Sequence, residues 1–295
     1  MKKNFLKLLF IGSLSSLHIT SEETTTPAPY SADISLGTDY FRGAYNGTWP
    51  DTFGILGSFN FGVQIPIYNQ GFAAQGGASV GLYDWQGKTA TNSSSMETET
   101  FLSVGLSRQS PSASGINAGI AYDWMVSRNF GTFCLDVTLE QARAQIGYMI
   151  KGKNEIGITT ATHTSNWSKK VQFANVKFQG INQVNLYWRA LTKNNSETML
   201  WAGVPYGKGL QNSSGKPGYY IAGMSFMAKL TKRLAITGHG VYMGPKNGTR
   251  YESITYGANI CASLTYTFGG TKRGERPYLS LANNSNFLID TNKIL

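Results

Sequence analysis

Residues 253–268 read Ser-Ile-Thr-Tyr-Gly-Ala-Asn-Ile-Cys-Ala-Ser-Leu-Thr-Tyr-Thr-Phe. Every even position from Ile254 through Tyr256, Ala258, Ile260, Ala262, Leu264 and Tyr266 to Phe268 is apolar or aromatic. Every odd position is small or polar. Successive side chains of a β-strand point to opposite faces, so this stretch is a strand with one greasy and one small-polar surface. The split recurs at 116–124, where Ile116, Ala118, Ile120, Tyr122 and Trp124 oppose Asn117, Gly119, Ala121 and Asp123. It recurs again at 139–150, where Ala142, Ala144, Ile146, Tyr148 and Ile150 oppose Gln141, Arg143, Gln145 and Gly147.

A soluble sandwich or jelly roll also alternates, so the direction of burial has to be decided. The outer face of a soluble sheet is typically rich in Lys and Glu, but here the polar face is Gly, Ser, Thr, Asn and Gln with an occasional Arg or Asp. Lipid on the apolar side and water on the polar side accounts for both faces. The segments are also about as long as the 9–11 residues a tilted strand needs to cross a bilayer.

Working outward from that strand, residues 33–268 divide into about twelve alternating stretches. Their joins are alternately short, at 68–71, 109–114, 151–154, 192–197 and 231–233, and long, at 42–52, 86–97, 126–138, 163–180, 207–217 and 244–252. Tight turns at one rim and long loops at the other are the mark of an even-stranded membrane barrel. No water in the hydrocarbon layer can satisfy a free sheet edge, so a spanning sheet must close on itself. The expectation is an all-β chain folded as a single antiparallel transmembrane β-barrel of about 12 strands, up-and-down in topology, with a C-terminal tail. Pro66 and Pro205 fall near strand ends, where a missing N–H is tolerated.

The aromatic residues sort by height. Phe53, Trp124, Tyr206, Tyr220, Tyr242 and Tyr256 lie on apolar faces near the long loops, and Tyr148, Trp188, Tyr266 and Phe268 near the short turns. Two such girdles mark the membrane–water boundaries.

The ends differ from the middle. Lys2, Lys3 and Lys7 precede an apolar core from Leu8 to Leu17, which reads as a secretory signal over 1–21, followed by a flexible lead-in at 22–32. Export with this barrel implies the bacterial outer membrane, a lipid bilayer as partner and recognition by the outer-membrane assembly machinery. With both termini of the barrel at the short-turn rim, residues 269–295 form a periplasmic C-terminal tail. Its Tyr278, Leu279, Leu281, Phe287, Leu288 and Ile289 are too apolar to hang in water, so docking in or under the barrel is expected.

Composition excludes several classes. No run after the leader approaches the ~20 apolar residues of a spanning helix. The net charge is +10, and the three leader lysines leave about +7, spread over loops rather than gathered into the footprint that nucleic acid needs. Cys134 and Cys261 cannot form a disulfide framework, though one bond between them is open. No metal or cofactor motif is present, and oligomeric state is not legible.

The segment from about Phe59 to Tyr148 resembles an uncharacterised family of outer-membrane-barrel-like proteins seen in planctomycete- and chlamydia-type bacteria. The residues that carry the resemblance are Phe61-Gly62-Val63-Gln64, Gly76 and Gly77, Tyr122-Asp123-Trp124 and Leu139 to Arg143, with the tail Arg276-Pro277-Tyr278-Leu279-Ser280-Leu281-Ala282-Asn283-Asn284-Ser285. The resemblance implies an outer-membrane location and no established activity. Common outer-membrane proteins end on an aromatic residue, whereas this chain ends Asn292-Lys293-Ile294-Leu295.

The polar faces nominate the functional residues. Asp39, Gln64, Gln75, Asn117, Asp123, Gln141, Arg143, Gln145, Gln183, Asn185, Arg189, His239 and Asn259 would line the lumen. Either they border a passage whose charges tune selectivity, or Arg143 and Arg189 pair with Asp39 and Asp123 and fill it. The first gives a porin-like passive channel for small polar solutes. The second gives a closed-lumen structural or adhesive surface protein, with loop 163–180 and its Trp167, Lys169, Lys170, Val171 and Phe173 as the contact surface. Ser225 and His239, across one hairpin, form the single pairing that would suit a lipolytic barrel enzyme, a remote third alternative. The lumen reading leaves them no catalytic role, and no enzyme activity is expected.

Overall fold

The computed structural model describes residues 30–42, 51–66, 71–84, 96–131, 133–171, 174–192, 196–210, 215–244, 257–269, 281 and 288–292. The leader, Tyr256 and Phe173 lie outside the described residues, as does the lead-in up to residue 29.

Twelve strands form the closed barrel: β1 (Tyr30–Arg42), β2 (Asp51–Gln64), β3 (Phe72–Tyr83), β4 (Glu97–Arg108), β5 (Gly115–Phe130), β6 (Leu135–Ile150), β7 (Asn154–His163), β10 (Gln183–Leu191), β11 (Glu197–Pro205), β12 (Ile221–Lys229), β13 (Leu234–Met243) and β14 (Gly257–Gly269). Each pairs antiparallel with its sequence neighbour, and β7 pairs with β10 across an insertion. The ring closes where β1 meets β14 in a continuous register from Ser31↔Gly269 to Arg42↔Ala258. The chain is thus a 12-stranded membrane-type barrel, with β1 beginning at Tyr30, inside the segment read as lead-in.

The strand faces point as the alternation requires. Ile34, Leu36, Ile120, Ile146, Leu186, Ile260 and Leu264 are 50–66 % exposed on the outside. Asp33, Asp39, Asn117, Asp123, Asn185 and Asn259 are 5 % exposed or less on the inside. A soluble protein would not present large aliphatic side chains to water while burying carboxylates, so the outside is the lipid face. Aromatic pairs stand at its borders: Tyr220–Tyr242 and Tyr122–Trp124 toward the long connections, and Tyr266–Phe268 and Tyr30–Phe61 toward the short turns. Of the nominated girdle residues, Phe53, Tyr148, Tyr220, Tyr242, Trp188, Tyr266 and Phe268 are exposed, while Trp124 and Tyr206 are half-buried.

The short rim follows local turn chemistry. At the β6–β7 turn Lys151 and Gly152 both have positive φ, 51° and 66°, and Lys153 N donates to Ile150 O at 3.1 Å. That conformation matches the right-handed twist of the flanking strands.

Two connections depart from the sequence reading. Residues 126–138 are not a long loop: β5 and β6 continue as 16-residue strands to a turn at 131–134, with a register shift between Ser127 and Phe130. The reason is a change of surroundings. At this end the barrel rises toward water, and its polarity inverts. Phe130, Leu135, Val137 and Leu139 now face inward and are buried, while Arg128, Asp136 and Thr138 face out.

The second departure is 163–180, which forms strands β8 (Asn166–Val171) and β9 (Ala174–Gly180) instead of an open loop. With β15 (Ile289–Thr291) from the C-terminal tail they make a separate three-stranded sheet in the order β15-β9-β8. Trp167 and Val171 therefore pack inward instead of forming a contact surface, while Lys169 and Lys170 stay exposed.

Placing a cation at the membrane midplane of a barrel is expected to destabilise it by about 2–4 kcal/mol. Leu36→Arg, 63 % exposed and midway along β1, should lose that much in denaturant unfolding from lipid vesicles. Ser35→Ala on the adjacent inward position should lose much less.

Candidate functional site: the barrel lumen

The lumen has two unlike walls. Along β3–β7 and β10 it is crowded by charged and amide side chains. Asp123 on β5 is fully buried and receives both Nε and Nη2 of Arg143 on β6, at 2.6 and 2.8 Å, a two-point contact that fixes the guanidinium. Ser103 and Gln141 donate to the same carboxylate at 2.7 and 3.0 Å. Gln75 on β3 donates to Ser107 at 2.6 Å.

A second cluster surrounds Glu155, also fully buried, which accepts from Asn117 Nδ2 at 2.5 Å, from the Tyr187 hydroxyl and from Arg189 Nη2. Gln145 donates to Tyr187 Oη at 3.0 Å, and Arg189 also approaches Glu197 at 3.7 Å. Asn185 bridges to Gln183 at 3.1 Å. Arg189 therefore pairs with glutamates and not with an aspartate, as the sequence reading had it. Burying such ions is costly unless every lone pair is met, and these clusters meet most of theirs.

The other wall, from β11 through β14 to β1 and β2, is built from small residues. It borders a cavity of about 120 Å3 lined by Ser35, Ser58, Asn60, Ser225, Thr237, Ser263 and Thr265, with Leu56, Phe226, Met227, His239, Cys261 and Glu197. Thr237 and Thr265 share a hydrogen bond of 2.7 Å, and Ser35 bonds Ser58. A relay begins in the cavity wall at His239, whose Nε2 lies 2.5 Å from Asn259 Oδ1; Asn259 Nδ2 donates to Asp39 Oδ1 at 2.6 Å, and Tyr83 donates to Asp39 Oδ2 at 2.8 Å.

The register does place Ser225 opposite His239. The Nε2 of that imidazole, however, is engaged by Asn259. No disulfide joins Cys134, in the β5–β6 turn, to Cys261, in the cavity wall. Gln64 has inward parity but sits exposed at the short-turn rim, beyond the lumen proper.

The upper lumen is filled. Phe41, Tyr83, Phe101, Met125, Phe130, Leu135, Val137 and Leu139 from the wall meet Val176 and Phe178 of β9 and Ile289 of β15 in one apolar cluster. Ile181, Ile221, Met243 and Leu288 form another beside it. Glu97 and Glu99 are buried in the same region.

The chain leaves β14 at the short-turn rim, Leu281 lies in the lumen between Gln75 and Arg143, and residues 288–292 reach the opposite mouth. The tail's described residues, Leu281 and 288–292, thus pack against the inward face of the wall and the β8–β9 hairpin. Sequence reasoning missed Glu155, Tyr187, Glu97, Glu99 and the small-residue cavity. Inward parity was available for Tyr187, whereas Glu155 lay beside a segment taken as turn.

Breaking a buried ion pair by removing one partner typically costs about 3–5 kcal/mol. Arg189→Met strands Glu155 in the wall and should destabilise the barrel by that order in denaturant unfolding. Combining it with Glu155→Gln should recover a large part of the loss.

Known structures place this fold. The barrel is similar to an outer membrane channel from Pseudomonas putida F1, with a TM-score of 0.54 at 8 % identity over 82 % of this chain and 97 % of that one. It is similar to a membrane protein crystallised in meso, with a TM-score of 0.50 at 12 % identity over 89 % and 99 %. The outer membrane phospholipase A of Escherichia coli aligns less well, with a TM-score of 0.41 at 10 % identity over 82 % and 98 %. At these identities the likeness is one of fold, that of outer-membrane β-barrels. A sequence search of curated proteins finds no match. The family model that does match spans residues 32–289, and the chain belongs to that family of unknown function, DUF6666.

Proposed function

We propose that this protein resides in the outer membrane of a planctomycete- or chlamydia-type bacterium as a porin-like passage for small polar solutes, held shut in the conformation described. The observation that carries the reading is the asymmetry of the lumen. One wall spends its charges on internal pairs, while the other leaves a cavity of about 120 Å3 to which serine and threonine hydroxyls and Asn60 contribute beside Leu56, Phe226 and Met227. A wall of short side chains that both donate and accept hydrogen bonds suits the transit of neutral or weakly charged solutes. A lumen serving only as a structural strut has no need of a hollow polar side.

The second reading, a closed structural or adhesive surface protein, is favoured by one feature: the apolar clusters that fill the upper mouth. Neither reading needs a nucleophile, so no ester hydrolysis should be detectable, either in the parent protein or in Ser225→Ala.

Planar-bilayer recording separates the two. Protein truncated after Gly269 and shown to be folded should give stepwise conductance that the full chain lacks or shows rarely. A folded, truncated barrel without conductance contradicts the passage reading and supports the closed one.

A further inference from the structure

We propose that the C-terminal residues 288–292 are a releasable strap, latched at the far mouth by Asp290; the gating part of this inference rests on the passage reading above.

The barrel is complete without the tail. Its sheet closes through β1 and β14, and β15 belongs to a separate sheet that shares no strand with it. The Asp123–Arg143 pair is likewise intact without Leu281, whose backbone takes one further donor from Arg143 Nη2, at 2.8 Å, and gives its N–H to Gln75 Oε1, at 2.8 Å. Water can replace both contacts in a hydrated lumen. The side chain of Leu281 sits in a notch left by Gly119, where an added Cβ would stand 2.1 Å from Leu281 Cδ1. Leu281 is therefore fitted to the wall, but through contacts the wall does not need.

The far end is held more firmly, over a short length. Only three residues of β15 pair with β9, Ile289↔Gly180, Asp290↔Gln179 and Thr291↔Phe178. Asp290 is 1 % exposed, and its Oδ2 accepts from Leu210 N–H at 2.7 Å and from Gln179 Nε2 at 3.3 Å. It thus ties three segments together: the tail, the inward hairpin and the β11–β12 connection. Asn292 adds a clasp at the end, accepting from Lys177 N–H at 2.8 Å and donating to Asn175 O at 2.7 Å.

A carboxylate in this position is a conditional anchor. Docked, its partners are satisfied; replaced by a methyl group, it leaves a buried backbone N–H and a buried amide without that acceptor, which penalises the docked state alone. Residues 288–292 then come free while the barrel stays closed.

The test uses the full chain with Cys134→Ser and Cys261→Ser, a cysteine introduced at Thr291, and a membrane-impermeant thiol reagent. Thr291 is 4 % exposed, so this reporter should label slowly. Adding Asp290→Ala should speed labelling by about tenfold or more, as a lost hydrogen-bonded buried anchor implies. Gly119→Val, which fills the Leu281 notch, should act in the same direction from the other end. Full-length Asp290→Ala should also spend a larger fraction of time conducting than the parent.

Unchanged labelling in both variants overturns the latch. Faster labelling with no gain in conductance, when the truncated barrel conducts, removes gating but leaves the passage. Faster labelling with every form silent, including the truncated one, keeps the releasable strap and defeats the passage reading.

Discussion

The whole molecule depends on one constraint: in hydrocarbon, every backbone N–H and C=O must find a partner within the protein. An open twelve-stranded sheet would leave two edges unpaired, each group costing several kcal/mol. The β1–β14 seam removes both, from Ser31↔Gly269 to Arg42↔Ala258. Closure then dictates the side chains. Once the sheet is a cylinder, one set of alternate residues must meet lipid and the other must meet whatever the cylinder encloses. Here the first set is Ile, Leu, Val and aromatics, and the second is charged, amide, hydroxyl or glycine.

The rule that makes the barrel also explains where it changes character. Toward the long connections the outside passes from lipid to water, and the inside passes from a hydrated lumen to an apolar core. Leu135, Val137 and Leu139 face in while Asp136 and Thr138 face out, the arrangement of an ordinary soluble domain. That core needs something to pack against, and the β8–β9 hairpin and β15 supply it. Wall and plug are thus two answers to solvent, joined along the same strands.

This division tracks what the sequence disclosed. Strands such as 116–124 and 257–268 keep one polarity and were legible from alternation alone. Residues 126–138 and 163–180 cross into the region where polarity inverts, so the lipid-out pattern fails and they resemble loops. The tail was legible as too apolar for solvent, but its path was not, because no local signal encodes which cavity a segment enters. In the lumen, parity alone was enough to put Asp123 and Arg143 on one side of adjacent strands. The Arg189–Glu155 contact needed the β7–β10 register, and that register skips a hairpin the sequence did not announce. The hollow wall was hidden for a different reason: Ser, Thr and Gly are common in strands and turns alike, and only three-dimensional closure reveals the space they leave.

The claim on which everything rests is that this cylinder faces lipid with one set of side chains and encloses the other. A scan of single fluorophore-labelled cysteines along β14, positions 258–268, in vesicles carrying nitroxide-labelled lipid reads it directly. Quenching by the lipid should be strong at Ala258, Ile260, Ala262, Leu264, Tyr266 and Phe268 and weak at the five positions between them. Lipid quenching at Asn259, Ser263 or Thr267, or quenching without a two-residue period, would contradict it.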